Sequence, residues 1–171
     1  MTKTILKNLN IDALNSMQEE AISSFATHNN SVLISPTGSG KTLAFLLGIL
    51  AELHADVNYI QALIITPSRE LALQIESVFR LMNTGYKVNS CFGGHKMSIE
   101  VNNFIEPPAV LVGTPGRILD HISKENFETD YIRLLVLDEF DKSLEFGFRS
   151  EMEAIIRNLT GLRKRILTSA T

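Results

Sequence analysis

The chain has 171 residues, of which 44% are hydrophobic and 20% are charged, and its net charge is −3. This composition is typical of one soluble globular domain and argues against a strongly basic nucleic-acid-binding surface. The single cysteine, Cys91, excludes an internal disulfide and a multi-cysteine zinc site, and it fits a reducing, cytoplasmic location. The chain has no apolar run of about 18 residues, which excludes a membrane-spanning helix, and its start is too polar for a signal peptide.

Apolar runs rich in β-branched residues alternate along the chain with segments of helical periodicity. The predicted strands are SVLIS (31–35), YIQALIIT (59–66), KVNSCF (87–92), AVLVGT (109–114), IRLLVLD (132–138) and RKRILTS (163–169). Helices are predicted at 12–28, 43–53, 69–82, 97–104, 115–123 and 149–159. Most strands are continuously apolar, as parallel strands covered on both faces are. The pattern predicts a doubly wound α/β sheet that binds ligands at the carboxyl ends of its strands.

The segment SPTGSGKT (35–42) follows the first predicted strand and opens a helix, which is the context of a phosphate-binding loop. Gly38 and Gly40 allow positive φ angles, so that backbone N–H groups can converge on phosphate oxygens. Lys41 can reach the β- and γ-phosphates, and the Thr42 hydroxyl can bind Mg²⁺. A glycine-rich turn with a chance Gly-Lys-Thr is the alternative. The candidate nucleotide-binding residues here are Ser35, Pro36, Thr37, Gly38, Ser39, Gly40, Lys41 and Thr42.

A group of carboxylates, Asp138, Glu139 and Asp141, follows the fifth predicted strand. Carboxylates beside a buried strand are costly unless a cation or another partner uses them. In phosphate-loop enzymes the first aspartate holds Mg²⁺ and the following glutamate polarises the attacking water. We therefore expect Lys41, Asp138 and Glu139 to be catalytic, and Thr42 and Asp138 to bind the metal. As an alternative, Asp138 or Asp141 is only the N-cap of the next helix.

With these motifs placed, the chain resembles the N-terminal RecA-like domain of DEAD-box ATP-dependent RNA helicases over nearly its whole length. SPTGSGKT resembles motif I, with Ser35 where most members have alanine. In chain order, PSRELA (67–72), Gly93-Gly94, TPGR (114–117), DEFD (138–141) and SAT (169–171) resemble motif Ia, the GG element and motifs Ib, II and III. The resemblance implies a P-loop NTPase domain spanning 1–171, with a three-layer α/β/α fold and a mostly parallel central sheet. It also implies ATP and Mg²⁺ as cofactors.

Two motifs depart from the family pattern. Motif II has Phe140 in place of alanine, and a phenyl ring needs more room than a methyl group, so the neighbouring packing must differ. Gln18 matches the adenine-reading glutamine of the Q motif, whose amide can both donate to and accept from the adenine edge. The usual Pro-Thr pair before it is Leu14-Asn15 here, and the family's partnering aromatic residue would fall at or before Met1. The alternative for Gln18 is an exposed residue of a first helical turn.

The resemblance also implies a surface that holds the backbone of single-stranded RNA. Arg69 and the segment 114–116 begin predicted helices, whose free N–H groups can bind phosphates without reading base sequence. Prolines are natural at such helix starts, and Arg69 and Arg117 also have purely structural alternatives. The candidate RNA-binding residues are Pro67, Ser68, Arg69, Gly93, Gly94, Thr114, Pro115, Gly116 and Arg117.

By the same resemblance, Ser169 and Thr171 couple the nucleotide and RNA sites through Asp141. ATP hydrolysis also needs arginines on the transferred phosphate, and in the family a second RecA-like domain supplies them. The sequence contains no second domain of this kind, so we expect this chain to be one half of a two-domain helicase, ending at motif III, with little activity alone. The sequence indicates no oligomeric state.

Two other functions stay open at this point, a nucleotide-dependent RNA clamp and a phosphate-loop ATPase that acts on DNA. Asp120, His121 and Lys142 are expected to be solvated surface residues. The four histidines are scattered along the chain and suggest no metal site.

Overall fold

The computed structural model describes all residues from 1 to 171, and its six strands form one sheet in which every neighbouring pair is parallel. The strand order is β1-β6-β5-β2-β4-β3. The strands are β1 (Asn30–Ile34), β2 (Ala62–Ile65), β3 (Val88–Cys91), β4 (Val110–Gly113), β5 (Leu134–Leu137) and β6 (Lys164–Ser169). Five of them lie within the runs predicted to be strands, and β1 begins one residue before its predicted run 31–35.

Eight helices accompany the sheet. They are α1 (Thr2–Asn8), α2 (Ser16–Thr27), α3 (Lys41–Leu50), α4 (Arg69–Met82), α5 (Met97–Asn103), α6 (Pro115–Ser123), α7 (Phe140–Glu145) and α8 (Arg149–Asn158). The six predicted helices are confirmed, whereas α1 and α7 are additional and are only seven and six residues long, too short to show a helical period. None of the eight is both long enough and apolar enough to cross a membrane.

The two faces of the sheet bury separate hydrophobic cores, because successive strand side chains point to opposite faces. In β2, Ala62 and Ile64 face one core together with α1 to α4, and Leu63 and Ile65 face the other with α6 and α8. The chain crosses from β1 to β3 by way of α3 and α4 on the first face, then returns to β6 by way of α5 to α8 on the second. The predicted three-layer α/β/α architecture is therefore confirmed.

One strand differs from the prediction that both faces are covered. β1 lies at the edge of the sheet, and its Val32 and Ile34 side chains are 66% and 64% exposed. The apolar run SVLIS identifies the strand correctly but not its position, since an edge strand and a central strand can have the same composition.

The glycine that ends β4 is expected to be far less tolerant than the next glycine along the chain. A Cβ on Gly113 would lie 2.6 Å from Ile118 Cδ1 and 2.7 Å from the Cys91 carbonyl oxygen, whereas a Cβ on Gly116 would meet nothing within 4 Å. Gly113→Ala should lower the free energy of unfolding by about 1–3 kcal/mol, the usual cost of overpacking. Gly116→Ala, the matched control, should leave it unchanged or raise it. Urea denaturation of both variants checks this, and equal stabilities would contradict it.

Candidate functional site

Six of the predicted motifs lie along the side of the sheet where the parallel strands have their carboxyl ends, which is called the edge below. The phosphate loop, DEFD and SAT follow or end the adjacent strands β1, β5 and β6. PSRELA, the GG element and TPGR follow β2, β3 and β4, which are also adjacent in the sheet. The edge is thus divided into a half that carries the candidate nucleotide residues and a half that carries the candidate RNA residues.

The phosphate loop is folded around its own lysine. Gly38 and Gly40 have φ angles of +79° and +89°, the left-handed region that glycine adopts without strain. The Lys41 ammonium group is buried and donates hydrogen bonds to the carbonyl oxygens of Ser35 and Pro36, the latter at 2.9 Å. The lysine ammonium group has three N–H donors, so these two bonds leave one of them free for a phosphate.

The start of α2 is bonded directly to this loop. Asn15 and Gln18 form a capping box, in which each side chain accepts a hydrogen bond from the backbone N–H of the other residue, at 2.9 and 3.0 Å. Gln18 Nε2 also donates to the Gly40 carbonyl oxygen at 3.1 Å, and Asn15 Nδ2 donates to that of Ser39 at 3.1 Å. Gln18 is buried, so its alternative interpretation as an exposed helix residue is wrong.

Asp138 and Glu139 are held at the end of β5 by a neighbour on β6. The Thr168 hydroxyl donates to Asp138 Oδ1 at 2.5 Å and accepts the Glu139 N–H at 3.1 Å. Thr168 has no signal in the sequence, because only the parallel pairing of β5 with β6 brings it to this position. Glu139 also has a φ of +47°, a strained conformation for a residue other than glycine, and such strain is concentrated at functional sites.

The protein environment disfavours the charged forms of both carboxylates. Burial raises the pKa of Asp138, and the opposing effects of the Thr168 hydrogen bond and the Lys41 charge do not cancel it. The pKa of Glu139 is raised by burial and by the charges of Asp138 and Asp141. A cation near these groups would remove that penalty, and a glutamate with a raised pKa is suited to accept a proton.

A cleft of about 420 Å³ joins the phosphate loop to the carboxylates. Its wall includes Gly38, Lys41, Thr42, Asp138 and Glu139, with apolar side chains from α4 and from the segment after α1. Hydroxyl and carboxylate oxygens are the ligands that Mg²⁺ prefers, so Thr42 and Asp138 fit the predicted metal site in their chemistry. Two buried polar atoms at this half of the edge, Ser39 Oγ and Asp141 Oδ1, have no hydrogen-bond partner within the chain.

The residues predicted to couple the two halves are close together. Thr171 Oγ1 lies 3.5 Å from Asp141 Oδ2, at the limit of a hydrogen bond. The Ser169 hydroxyl donates to the Thr171 carbonyl oxygen at 2.6 Å and accepts the Thr171 N–H at 3.2 Å. The Phe140 ring packs beside the core of the second face, with Leu137 and Leu167 in the same apolar cleft.

The three candidate RNA-binding segments form one continuous surface. Ser68 caps α4 by accepting the Leu71 N–H at 3.3 Å, so its hydroxyl has a structural role. Arg69 is exposed, and its guanidinium group lies 5.2 Å from the centre of the Phe92 ring, next to Gly94. Arg117 donates to the Phe92 carbonyl oxygen at 3.2 Å, which connects TPGR to the GG element. Of the remaining candidates, Pro67 and Pro115 are buried, Thr114 is half-buried, and Gly93 and Gly116 are exposed.

One prediction about the surface is wrong. His121 is completely buried, and its Nε2 lies 2.7 Å from the carboxylate of the buried Glu100. The potential ligand atoms of Cys91, Glu100 and His121 all lie within 4.8 Å of one another. Glu100 could not be identified from the sequence, because a single glutamate in a polar helix carries no signal of burial.

Comparison with known proteins identifies close relatives. The family model described as DEAD/DEAH box helicase matches residues 15–171. The ATP-dependent RNA helicase CshA of Listeria monocytogenes is 40% identical over 137 residues, which are 79% of this chain and 26% of that protein. CshA of Limosilactobacillus reuteri is 38% identical over 91% of this chain and 32% of its own length. The chain therefore spans about a third or less of these curated relatives.

Solved structures show the same fold. The crystal structure of a DEAD box protein from the hyperthermophile Methanococcus jannaschii superposes with a TM-score of 0.90 at 31% identity, covering 98% of this chain and 46% of that one. A hypothetical ATP-dependent RNA helicase from Sulfolobus tokodaii has a TM-score of 0.86 at 28% identity, covering 100% of this chain and 51% of that one. The predicted RecA-like fold is confirmed.

Removing the buried charge at the end of β5 is expected to stabilise the fold. Because the pKa of Asp138 is higher in the folded state, the folded chain binds more protons between the two pKa values, and stability falls as pH rises through that range. Asp138→Asn removes the charge that causes this loss of stability, and it keeps a side-chain oxygen that can accept the Thr168 hydrogen bond. At pH 7 we expect its Tm to be roughly 2–4 °C higher, which corresponds to about 1 kcal/mol.

Thermal unfolding followed by circular dichroism from pH 7 to pH 3 measures this effect. The difference should disappear below the unfolded pKa of aspartate, about 3.9. Asp56→Asn, at an exposed position, is the control and should not change Tm. A lower Tm for Asp138→Asn at pH 7 would mean that attraction to Lys41 outweighs the cost of burial.

Proposed function

Since the chain belongs to the DEAD/DEAH box helicase family, we propose that it is the N-terminal, ATP- and RNA-binding half of an ATP-dependent RNA helicase. In the complete protein, hydrolysis of Mg²⁺-ATP would drive local separation of RNA duplexes or remodelling of RNA–protein complexes. The observation that supports this proposal is the arrangement of the motifs along the sheet. The glycine-rich loop and the carboxylates lie at the ends of β1, β6 and β5, and PSRELA, the GG element and TPGR lie at the ends of β2, β4 and β3.

The residues of the nucleotide half have separate roles in this proposal. The backbone N–H groups of the phosphate loop and the start of α3 bind the phosphates, and Lys41 joins them through its remaining N–H donor. Thr42 and Asp138 would hold Mg²⁺, and the ion would supply positive charge that offsets the charge of the phosphate oxygens. Glu139 accepts a proton from the attacking water, a role that its raised pKa favours. Gln18 reads the adenine, while its bond to Gly40 ties that contact to the loop.

The RNA half binds by charge and backbone, without base recognition. The N-terminal N–H groups of α4 and α6 and the glycines 93 and 94 approach phosphates closely, and Arg69 supplies an exposed positive charge. The two halves are coupled through a small set of hydrogen-bonded residues. A change at the nucleotide site would reach the RNA site through Asp141, Ser169 and Thr171.

The remaining parts of the proposal concern the complete protein. A second RecA-like domain would supply the arginines that stabilise the transferred phosphate, so this chain alone should bind nucleotide weakly and hydrolyse it slowly. Fast RNA-stimulated ATP hydrolysis by the isolated chain would contradict the proposal that a second domain supplies these arginines. We place the protein in the cytoplasm, which suits its one free, buried thiol.

The glycine at the start of α3 provides a test of the loop. A Cβ on Gly40 would lie 2.4 Å from Gln18 Nε2, whereas a Cβ on Gly38 would meet nothing within 4 Å, although both residues have positive φ. Gly40→Ala should weaken binding of a fluorescent ATP analogue about tenfold or more, the effect of losing one to two hydrogen bonds. Gly38→Ala carries only the backbone strain and should weaken it less. Equal losses would mean that the Gln18 contact does not support nucleotide binding.

Glu139→Gln in the complete protein separates an enzyme from a clamp. Without its proton acceptor, RNA-stimulated hydrolysis should fall by about 10²–10⁴-fold while ATP affinity is retained. Glu145→Gln, on an exposed position of α7, should be indistinguishable from the unmodified protein. Phosphate release and strand separation of a short RNA duplex are the two measurements. If strand separation persists without hydrolysis, the protein acts as a nucleotide-dependent clamp. Stimulation by DNA as strong as by RNA would overturn the RNA assignment.

A further inference from the structure

A buried carboxylate lies directly beneath the loop 92–96, which contains the two glycines of the RNA half. Glu100, on α5, has a fully covered side chain. Its Oε1 accepts the Phe92 N–H at 3.2 Å, and its Oε2 lies 3.2 Å from Arg117 Nε and 2.7 Å from His121 Nε2. One side chain therefore contacts the loop and two successive turns of α6.

The partners of His121 define the direction of its hydrogen bonds. A carboxylate only accepts, so His121 Nε2 carries the proton that points to Glu100. His121 Nδ1 then accepts from Asn126 Nδ2 at 3.0 Å, and the imidazole packs edge-on against the Phe104 ring at 5.1 Å. Asn126 also lies 3.8 Å from the sulfur of Met97, at the start of α5. Both ring nitrogens of His121 therefore have a hydrogen-bond partner within the protein.

Arg117 is held by the protein through two of its three side-chain nitrogens. Its Nε donates to the Phe92 carbonyl oxygen at 3.2 Å, and its Nη2 donates to the His95 carbonyl oxygen, so the guanidinium group holds both ends of the loop 92–96. Only 14% of its side chain is exposed. Arg69, by contrast, is exposed and makes no ion pair, and its contact with the chain is the face of Phe92.

We infer that Glu100 is a positioning residue for RNA binding. It holds Arg117, and Arg117 in turn shapes the loop 92–96 instead of contacting RNA. This inference rests on the RNA-binding role proposed above. In this arrangement the RNA phosphates bind the backbone N–H groups of the shaped loop and of the α6 N-terminus. Arg69 then supplies the positive charge that this part of the surface presents.

The same cluster is a poor metal site in this state. Cys91 completes a set of three potential ligands, but burial and the charge of Glu100 raise the pKa of its thiol, which disfavours the thiolate that a metal needs. The guanidinium group of Arg117 already neutralises the carboxylate, so a divalent cation would have to displace it.

Glu100→Gln tests the inference, because the two possible roles of Glu100 predict opposite changes in RNA affinity. Removing a negative charge near an RNA-binding surface should by simple electrostatics strengthen RNA binding. A positioning role predicts the opposite, since the amide cannot hold Arg117 and His121 in the same way. We expect the affinity for a single-stranded oligouridylate, measured by fluorescence anisotropy with a non-hydrolysable ATP analogue, to fall about tenfold, the effect of losing one to two hydrogen bonds.

The control is Glu106→Gln, an exposed residue just after α5 whose carboxylate makes no bond. ATP-analogue affinity and Tm of each variant show whether the rest of the fold is intact. A second variant, Arg117→Lys, keeps the positive charge but cannot bond both the Phe92 and the His95 carbonyl oxygens in the same geometry. It should bind RNA about as weakly as Glu100→Gln, with an unchanged salt dependence. Arg69→Gln should reduce the slope of log affinity against log salt by about one.

The outcomes separate the two proposals. All variants are made in the complete protein, and if the unmodified complete protein does not bind RNA, the proposed function fails. If it binds but folded Glu100→Gln binds RNA equally well or more tightly, the positioning role is overturned. If Glu100→Gln does not fold, Arg117→Lys decides, and near-normal binding by it would assign Arg117 to direct phosphate contact. A rise in RNA affinity on adding Zn²⁺, lost in Glu100→Gln, would instead assign the cluster as a metal site and also overturn the inference.

Discussion

The parallel direction of all six strands is the constraint on which the rest of the structure depends. In such a sheet every strand ends at the same edge, so residues far apart in the chain meet without any long loop. Thr168 on β6 reaches Asp138 on β5 because these strands pair in parallel register, with Leu137 opposite Leu167. The same alignment places the phosphate loop next to SAT, since the Ser35 N–H donates to the Ser169 carbonyl oxygen at 3.1 Å.

Features whose physical cause is local could be predicted from the sequence. The helices 69–82 and 115–123 have the predicted bounds, because Ser68 supplies a capping hydroxyl to the first and Pro115 fits the first turn of the second. The phosphate loop was recognisable because its glycines need a left-handed backbone and its lysine and threonine have fixed spacing. The family resemblance extends this recognition to the motifs PSRELA, GG and TPGR.

Features that depend on contacts between distant elements could not be predicted in this way. The capping box of Asn15 and Gln18 is readable from their spacing, but their bonds to Ser39 and Gly40 depend on how α2 packs. The burial of His121 depends on its contacts with Glu100 of α5 and with the Phe104 and Phe127 rings. A histidine between an aspartate and an isoleucine has no sequence pattern that distinguishes a buried side chain from an exposed one. The exposure of β1 is a third case, since its apolar run does not reveal that it lies at the edge of the sheet.

The two buried carboxylates of the molecule show how charge balance distinguishes a ligand site from a structural site. Glu100 is neutralised inside the protein by Arg117, with hydrogen bonds from Phe92 and His121, so an additional cation would find no uncompensated charge there. Asp138 has a threonine hydrogen bond and only the more distant Lys41 charge, and its pKa remains raised. Burial of an incompletely compensated carboxylate is costly, so it is expected where a ligand supplies the missing charge. Cation chemistry is therefore expected at the β5 end of the sheet, and a role in positioning the backbone is expected at the β3–β4 end.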